Sequence, residues 1–349
     1  MKQFLKKLSY TVLPLWLLCV GLTAYYHLQV KPFMSGDIGN LGMIPFALFY
    51  DRPVDPEKPD TLFLQIDSLE QLHTIRADVL VCGDSFTSGR GQGTMGYHNY
   101  LARQGFRVVS CSSKGMPFRN PFKTAARMME LGYIDSLNTG VLLIESVERS
   151  LIDRLAYYDI SVAEIDEGQW YEPRIESLED ADSSWSLLQA RNYASIKLGV
   201  EHPIRCVRLD APFFSGSRPT DLFFYQDDLL LMSVDEKIGQ QSMQGLSKLL
   251  TVARQKGVRL LLLVCPDKYD IYQHHIVDNP YPLKTVNEDF RRLAVDSLSI
   301  FFAKDVLLPH VDAGEIDLYY HDDTHWSYKS ARYVADSLAT VLQHLLQKQ

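Results

Sequence analysis

The chain has 349 residues, 46% of them hydrophobic, and a formal net charge of -8. That length and apolar share suit one large domain, or a domain carrying a big insertion. The acidic balance, with no basic tract beyond the N-terminus, excludes nucleic acid as a partner, because such binding needs a basic stripe.

Lys2, Lys6 and Lys7 precede an apolar stretch from Tyr10 to Leu28, interrupted only by Pro14. Its length is near that needed to span a bilayer, and the lysines would stay on the cytoplasmic side. Residues 1–30 are therefore expected to be a single-pass anchor in the inner (cytoplasmic) membrane, with everything after them periplasmic. A cleaved signal peptide is the rival reading. Against it, Gly21-Leu22-Thr23-Ala24 makes a poor cleavage site, and Tyr25-Tyr26 suits an interfacial aromatic belt. Leu18 precedes Cys19 where lipid attachment would want a small residue. Residues 31–76 hold many prolines and glycines, including Pro32, Gly36, Pro45 and Pro53, and are expected to form an irregular stalk or linker.

From Ala77 the pattern alternates between apolar runs and amphipathic segments. Strands are expected at 78–82, 106–111, 141–146 and 258–265, with a shorter fifth near Leu298–Phe302. Helices are expected over 96–104, 121–132, 237–256, 284–296 and 327–347. Short, near-continuous apolar strands between helices indicate a buried parallel sheet. Ligands of such sheets bind at the carboxyl ends of the strands. Residues 151–235 break this rhythm, with many acids and with aromatics such as Trp170, Trp185, Phe213 and Phe223, and are expected to be an inserted cap. The five cysteines are scattered without a C-x-x-C pair, and Cys82, Cys111 and Cys265 read as buried free thiols.

Gly83-Asp84-Ser85-Phe86 follows the first of these strands, which puts Ser85 at the exposed end of the sheet. Asp322-Asp323-Thr324-His325-Trp326 lies near the C-terminus and supplies an imidazole with a carboxylate close behind it. A serine hydroxyl needs a base to take its proton, and the base works best when a carboxylate holds its other nitrogen. Ser85 is thus the candidate nucleophile and His325 its base; Ser327 could cap the last helix. A helix-capping role for Ser85 is the ordinary alternative. His321, Asp322, Asp323 and His325, with His274 and His275, also offer ligand types for a divalent ion. No helix-spaced ligand pair supports that reading and it leaves Ser85 unexplained, so no metal is expected. Lys268, after the fourth strand, could touch a substrate oxygen or an acidic sugar, or be a solvated loop lysine.

These motifs resemble the SGNH (GDSL-type) hydrolase superfamily over roughly residues 77–349, and the D-T-H-W spelling looks most like its polysaccharide O-acetyltransferase branch, which includes the alginate acetylation proteins. The resemblance implies an α/β fold: an SGNH or flavodoxin-like three-layer sandwich around a central parallel sheet. It implies Asp323 as the triad acid, as in D-x-H-W, with Asp322 as the alternative, as in the D-x-x-H of ordinary SGNH hydrolases. It also implies oxyanion donors: the Ser85 backbone N–H and Gly115. The usual G-x-N-D asparagine is missing; Arg149 falls where it would lie and could replace it as donor or could pair with Glu148, and Asn120 is a fallback. In the alginate acetylation proteins the Asp-His element precedes the serine, whereas here it follows, as in ordinary SGNH hydrolases.

The expected function is a membrane-anchored serine acyltransferase that acetylates a cell-surface or secreted polysaccharide through an acyl-Ser85 intermediate. It needs no cofactor, and the resemblance implies a multispanning membrane acyltransferase that brings the acetyl group across. An SGNH carbohydrate esterase is the alternative, and a non-catalytic glycan-binding assembly subunit is the second.

Overall fold

The computed structural model describes residues 2–25, 36–40, 52–57, 62–65, 75–88, 96–112, 120–130, 132, 134–135, 140–156, 204–293 and 299–347. Among them the strands are β1 (Leu64–Gln65), β2 (Val79–Gly83), β3 (Val108–Ser112), β4 (Val141–Val147), β5 (Ile204–Arg208), β6 (Asp221–Tyr225), β7 (Arg259–Cys265) and β8 (Ser299–Phe302). Six of these form one parallel sheet in the order β1-β3-β2-β4-β7-β8, while β5 and β6 pair antiparallel beside it.

The five longer strands of the sheet are those the apolar runs predict, each displaced by no more than two residues at either end. Their side chains alternate between two buried faces. Val79, Val81, Leu143 and Leu263 pack with Tyr97 and Leu101 and with Val334, Leu338 and Leu342 of the C-terminal helix. Leu80, Cys82, Ile144 and Leu262 pack the other way, against Phe122, Met128, Leu246 and Leu249. A strand covered on both faces has few positions for a polar residue, which is why these runs are largely apolar. Helices Tyr97–Arg103, Ala303–Asp312 and Tyr328–Gln347 cover the first face; Pro121–Glu130, Glu148–Ala156, Glu236–Gln255 and Val286–Leu293 cover the second. The result is the three-layer α/β arrangement that the resemblance implies. From β2 the chain moves first to one neighbour, β3, and then across to the other, β4. The order therefore reverses at β2, and the crevice beyond its carboxyl end is where such sheets hold ligands.

Caps fall where the sequence provides them. Asp235 accepts from the backbone N–H groups of Lys237 and Ile238 at 3.0 and 3.3 Å, and Ser327 accepts from that of Lys329 at 3.1 Å. Cys82 and Cys111 face each other across β2 and β3 but remain free, both against the Met128 sulfur.

Two boundaries differ from expectation. Residues 31–76 are not all stalk: Gly36–Asn40 and Arg52–Glu57 pack on the domain, Ile38 is fully buried against Ile204 and Phe223, and Tyr100 donates its hydroxyl to Asp55 at 2.6 Å. Leu151, Ile152 and Leu155, assigned to the insertion, lie on a helix in the main core. The C-terminal part of the insertion folds onto the body as the β5–β6 ribbon, burying Phe213, Phe214, Phe223 and Phe224; Trp170, Tyr171 and Trp185 fall outside the described residues. The expected anchor does form a helix, Lys2–Tyr25, with Pro14 inside it and Leu15, Trp16, Leu17 and Leu18 exposed. Among the described residues, however, no helix is long and apolar enough to cross a membrane.

Candidate active site

β2 ends at Gly83, and the chain turns at once into a short helix, Ser85–Ser88. The turn is held from below. Asp84 donates its backbone N–H to Glu145 at 2.8 Å, and the Thr87 hydroxyl donates to the same carboxyl oxygen at 2.8 Å. The Asp84 carboxylate accepts from the N–H of Val147 at 3.0 Å, that of Phe86 at 3.2 Å and the Arg154 guanidinium at 2.6 Å. A side chain at position 83 would start 1.9 Å from the Thr87 hydroxyl, so the turn can only be this tight with glycine there. Burial raises the Glu145 carboxyl well above its ordinary range, with the neighbouring Asp84 adding to the effect. Asp84 and Glu145 thus fix the turn that carries Ser85; no chemical step is assigned to them.

His325 approaches from the other end of the chain. Its ring lies against Phe86, the residue after Ser85, with centroids 4.9 Å apart, and Trp326 packs on the same phenyl ring at 4.8 Å. Nδ1 of His325 lies 2.6 Å from Oδ1 of Asp323, whose carboxylate also accepts the His325 backbone N–H at 3.1 Å. Among the described residues, Nε2 is buried without a hydrogen-bond partner, Ser85 included. A base and nucleophile can stand apart in an unliganded site and close up only with substrate. Burial pulls the imidazole pKa down, but the Asp323 carboxylate more than offsets this, leaving it above the ordinary value; the same pairing holds Asp323 below its own despite full burial. Of the two candidate acids, Asp323 is the one hydrogen-bonded to His325. Asp322 instead accepts the Gly36 N–H at 3.0 Å.

Two residues that the sequence did not single out complete this cluster. Arg52 donates to Oδ2 of Asp323 at 2.8 Å while its guanidinium lies over the Tyr320 ring at 3.8 Å. Asp37 accepts from the Thr324 N–H at 2.8 Å and from the Thr324 hydroxyl at 2.6 Å, and its Oδ2 lies 3.8 Å from Nδ1 of His325. Burial and the nearby Asp323 raise the Asp37 carboxyl to about 6.

The remaining predicted residues fare differently. Lys268 touches neither solvent nor an open site. It is 1% exposed, and its ammonium donates to the carbonyls of Tyr320, His321 and Asp323 at 2.6, 3.0 and 3.0 Å. Three protons on three carbonyls make it a clamp on the loop that carries Asp323 and His325. Asn120 caps helix Pro121–Glu130: it accepts from the N–H groups of Phe122 and Lys123 and donates to the Arg154 carbonyl. Arg149 does not pair with Glu148; it donates to Asp267 at 2.5 Å and Asp228 at 3.3 Å, and its charge opposes protonation of His325. Gly115 lies outside the described residues.

The metal set considered from sequence does not assemble as such. His321 stacks on Phe214, its Nε2 meets the Asp221 carbonyl at 2.9 Å, and burial pushes its pKa down to about 3. His275 pairs with Asp210. A different trio, Asp37, Asp323 and His325, brings ligand-type atoms within 4.8 Å of one another. Its donor atoms are already committed, to Thr324, to Arg52 and to each other.

Residues 220–349 match the family model described as SGNH hydrolase-like domain, acetyltransferase AlgX. The match takes in Asp323, His325 and Lys268, while Ser85, Arg149, Asp37 and Arg52 lie before it. No curated protein matches the chain.

Proposed function

We infer from this kinship with an acetyltransferase domain that the chain is a serine acyltransferase, moving an acetyl group onto a polysaccharide hydroxyl through an acyl-Ser85 intermediate. The observation that carries the reading is the imidazole of His325: one nitrogen is bound to Asp323 at 2.6 Å, and the other is buried and uncommitted beside the turn that carries Ser85. In that state His325 can take the Ser85 proton at Nε2 while Oγ attacks the acyl carbonyl. The proton then goes to the leaving group as the tetrahedral intermediate collapses. A sugar hydroxyl, deprotonated by the same nitrogen, reverses the sequence and regenerates Ser85. Asp323 keeps the ring oriented and stabilises the imidazolium. The oxyanion needs donors aimed at it, for which the Ser85 N–H, Gly115 and Arg149 are the proposed groups.

Water in place of the sugar gives an esterase with the same residues. The conventional order, serine before histidine, favours that second reading, and exclusion of water by the 151–235 region would decide between them. An extracytoplasmic, membrane-attached location remains part of the proposal on the strength of the three early lysines and the apolar run after them; a protease added to cells with only the outer membrane permeabilised should then digest the domain. The acetyl donor would arrive through a multispanning membrane partner.

The test is peptide mass spectrometry of the full chain after exposure to a small activated acetyl ester. An acetyl group on Ser85, absent from Ser85→Ala, is the expected result. Unimpaired turnover by Ser85→Ala would sink the reading. The lifetime of the adduct with and without glycan separates transferase from esterase.

A further inference from the structure

The segment between the N-terminal helix and the sheet contributes two charged side chains to a site whose other members lie far along the chain. Asp37 holds Thr324 by both its backbone N–H and its hydroxyl, at 2.8 and 2.6 Å, so it fixes the residue between Asp323 and His325. Its carboxylate also lies 3.8 Å from Nδ1 of His325, on the same side as Asp323. Arg52 holds the far oxygen of Asp323 at 2.8 Å. The segment is seated rather than resting loosely. Ile38 is fully buried beneath Ile204 and Phe223 of the β5–β6 ribbon. Gly36 donates to Asp322 at 3.0 Å, and a Cβ on Gly36 would lie 2.0 Å from the Asp322 carbonyl oxygen, an approach that only glycine permits.

We propose that Asp37 is a positioning residue for the His325 base, working with Arg52 on Asp323, so that the segment preceding the sheet completes the catalytic element from outside it. This deepens the acyl-transfer reading, on which it rests only in taking His325 as the base. Two carboxylates face Nδ1, and a negative charge near an imidazole favours its protonated form. The groups that set this balance are Asp323 and Asp37 on the Nδ1 side, Arg52 and Lys268 behind Asp323, Asp322 beside them, Tyr225 facing Asp37, and Arg149 opposing. A residue that merely tied down a loop would change stability and leave the titration of His325 where it was.

The experiment compares the full chain with Asp37→Asn and Asp37→Ala. The His325 ring is followed by NMR across pH, and the rate of Ser85 acetylation by a small activated acetyl ester is measured over the same range. Asn retains an acceptor for the Thr324 N–H and removes the charge. The expected result is a His325 midpoint lower by about half a pH unit or more in Asp37→Asn, with the acid limb of the acetylation rate moving by the same amount. Asp37→Ala, which also frees Thr324, should in addition lose about tenfold or more in rate at every pH. An unmoved His325 midpoint in a folded Asp37→Asn protein overturns the proposal, as does an Asp37→Ala rate equal to that of the unaltered chain. The titration requires no turnover. A wild-type chain that titrates as expected but never acetylates Ser85 would therefore count against the acyl-transfer reading while leaving the Asp37–His325 coupling intact.

Discussion

Replacing Lys268 with methionine separates stability from function in a way the geometry makes quantitative. The substitution keeps the apolar stem and removes an ammonium that donates to three carbonyls of the loop carrying Asp323 and His325, at 2.6, 3.0 and 3.0 Å. Three carbonyls left without that donor cost about 1 kcal/mol each, or about 3 kcal/mol together. Against this, burying the ammonium is itself unfavourable: its pKa falls from 10.5 to about 8. At about 1.36 kcal/mol per unit, methionine relieves about 3 kcal/mol. The two effects nearly cancel, so urea denaturation at pH 7 should find Lys268→Met within about 2 kcal/mol of the unaltered protein. The loop, however, is no longer clamped, and a displacement of the base by about 1 Å can cost about a hundredfold in rate. Acetylation of Ser85 should drop accordingly. A pH series provides a second reading. Because the folded-state value lies below the unfolded one, the unfolded chain holds the extra proton between about pH 8 and 10.5. The stability of the unaltered protein relative to Lys268→Met should therefore rise across that window, by up to about 1.4 kcal/mol per pH unit. A variant that acetylates Ser85 at the normal rate would refute the clamp, and a flat difference across the window would refute the burial argument.

Asp323→Asn should leave the fold intact and lower the acetylation rate by on the order of 10³–10⁴, because an amide no longer holds the imidazole in the tautomer that presents a bare Nε2; stopped-flow acetylation with circular dichroism as a control measures both. The His325–Asp323 pair should also give stability and activity opposite pH requirements. The raised His325 value means its stabilising contribution is full below about pH 6.5 and is lost as pH rises through the higher folded-state value, whereas the base works only once deprotonated. The depressed Asp323 value means its contribution is present above about pH 4 and is lost as pH falls through the lower folded-state value. Melting temperatures of the unaltered chain and His325→Gln should therefore converge at alkaline pH, where the acetylation rate of the unaltered chain is highest; a gap that widens there would contradict the pairing.

The sheet was legible because strands buried on both faces carry few polar positions, so the runs at 79–83 and 260–265 stand out from their surroundings. The Asp-Thr-His-Trp element was legible for a different reason: its carboxylate and imidazole lie two residues apart and meet locally. Asp37 and Arg52 follow no such rule. They sit among prolines and glycines with no periodicity, and only the folded chain shows that Ile38 pins that segment beside Thr324. Lys268 was misread because a sequence does not say which lysines are buried, and three backbone carbonyls leave no mark in it. The Glu148–Arg149 pairing failed on simpler grounds: adjacent residues on a helix point in different directions, and Arg149 reaches Asp228 and Asp267 instead. Helix Ala303–Asp312 was hidden by its internal Pro309.

The hydrogen bonds that join Asp37 to Thr324 and Arg52 to Asp323 span 287 and 271 positions of chain. During synthesis, then, the earliest and latest parts of the site are made far apart in time. Ser85 leaves the ribosome 240 residues ahead of its base at 325, an interval of roughly 10–50 s at ordinary elongation rates. Throughout that interval the serine is an inert alcohol, and the segment that will receive the Thr324 loop has no partner. On the acyl-transfer reading, Ser85 has no base until the sequence from Tyr320 to Trp326 has been made and has met the segment carrying Asp37 and Arg52.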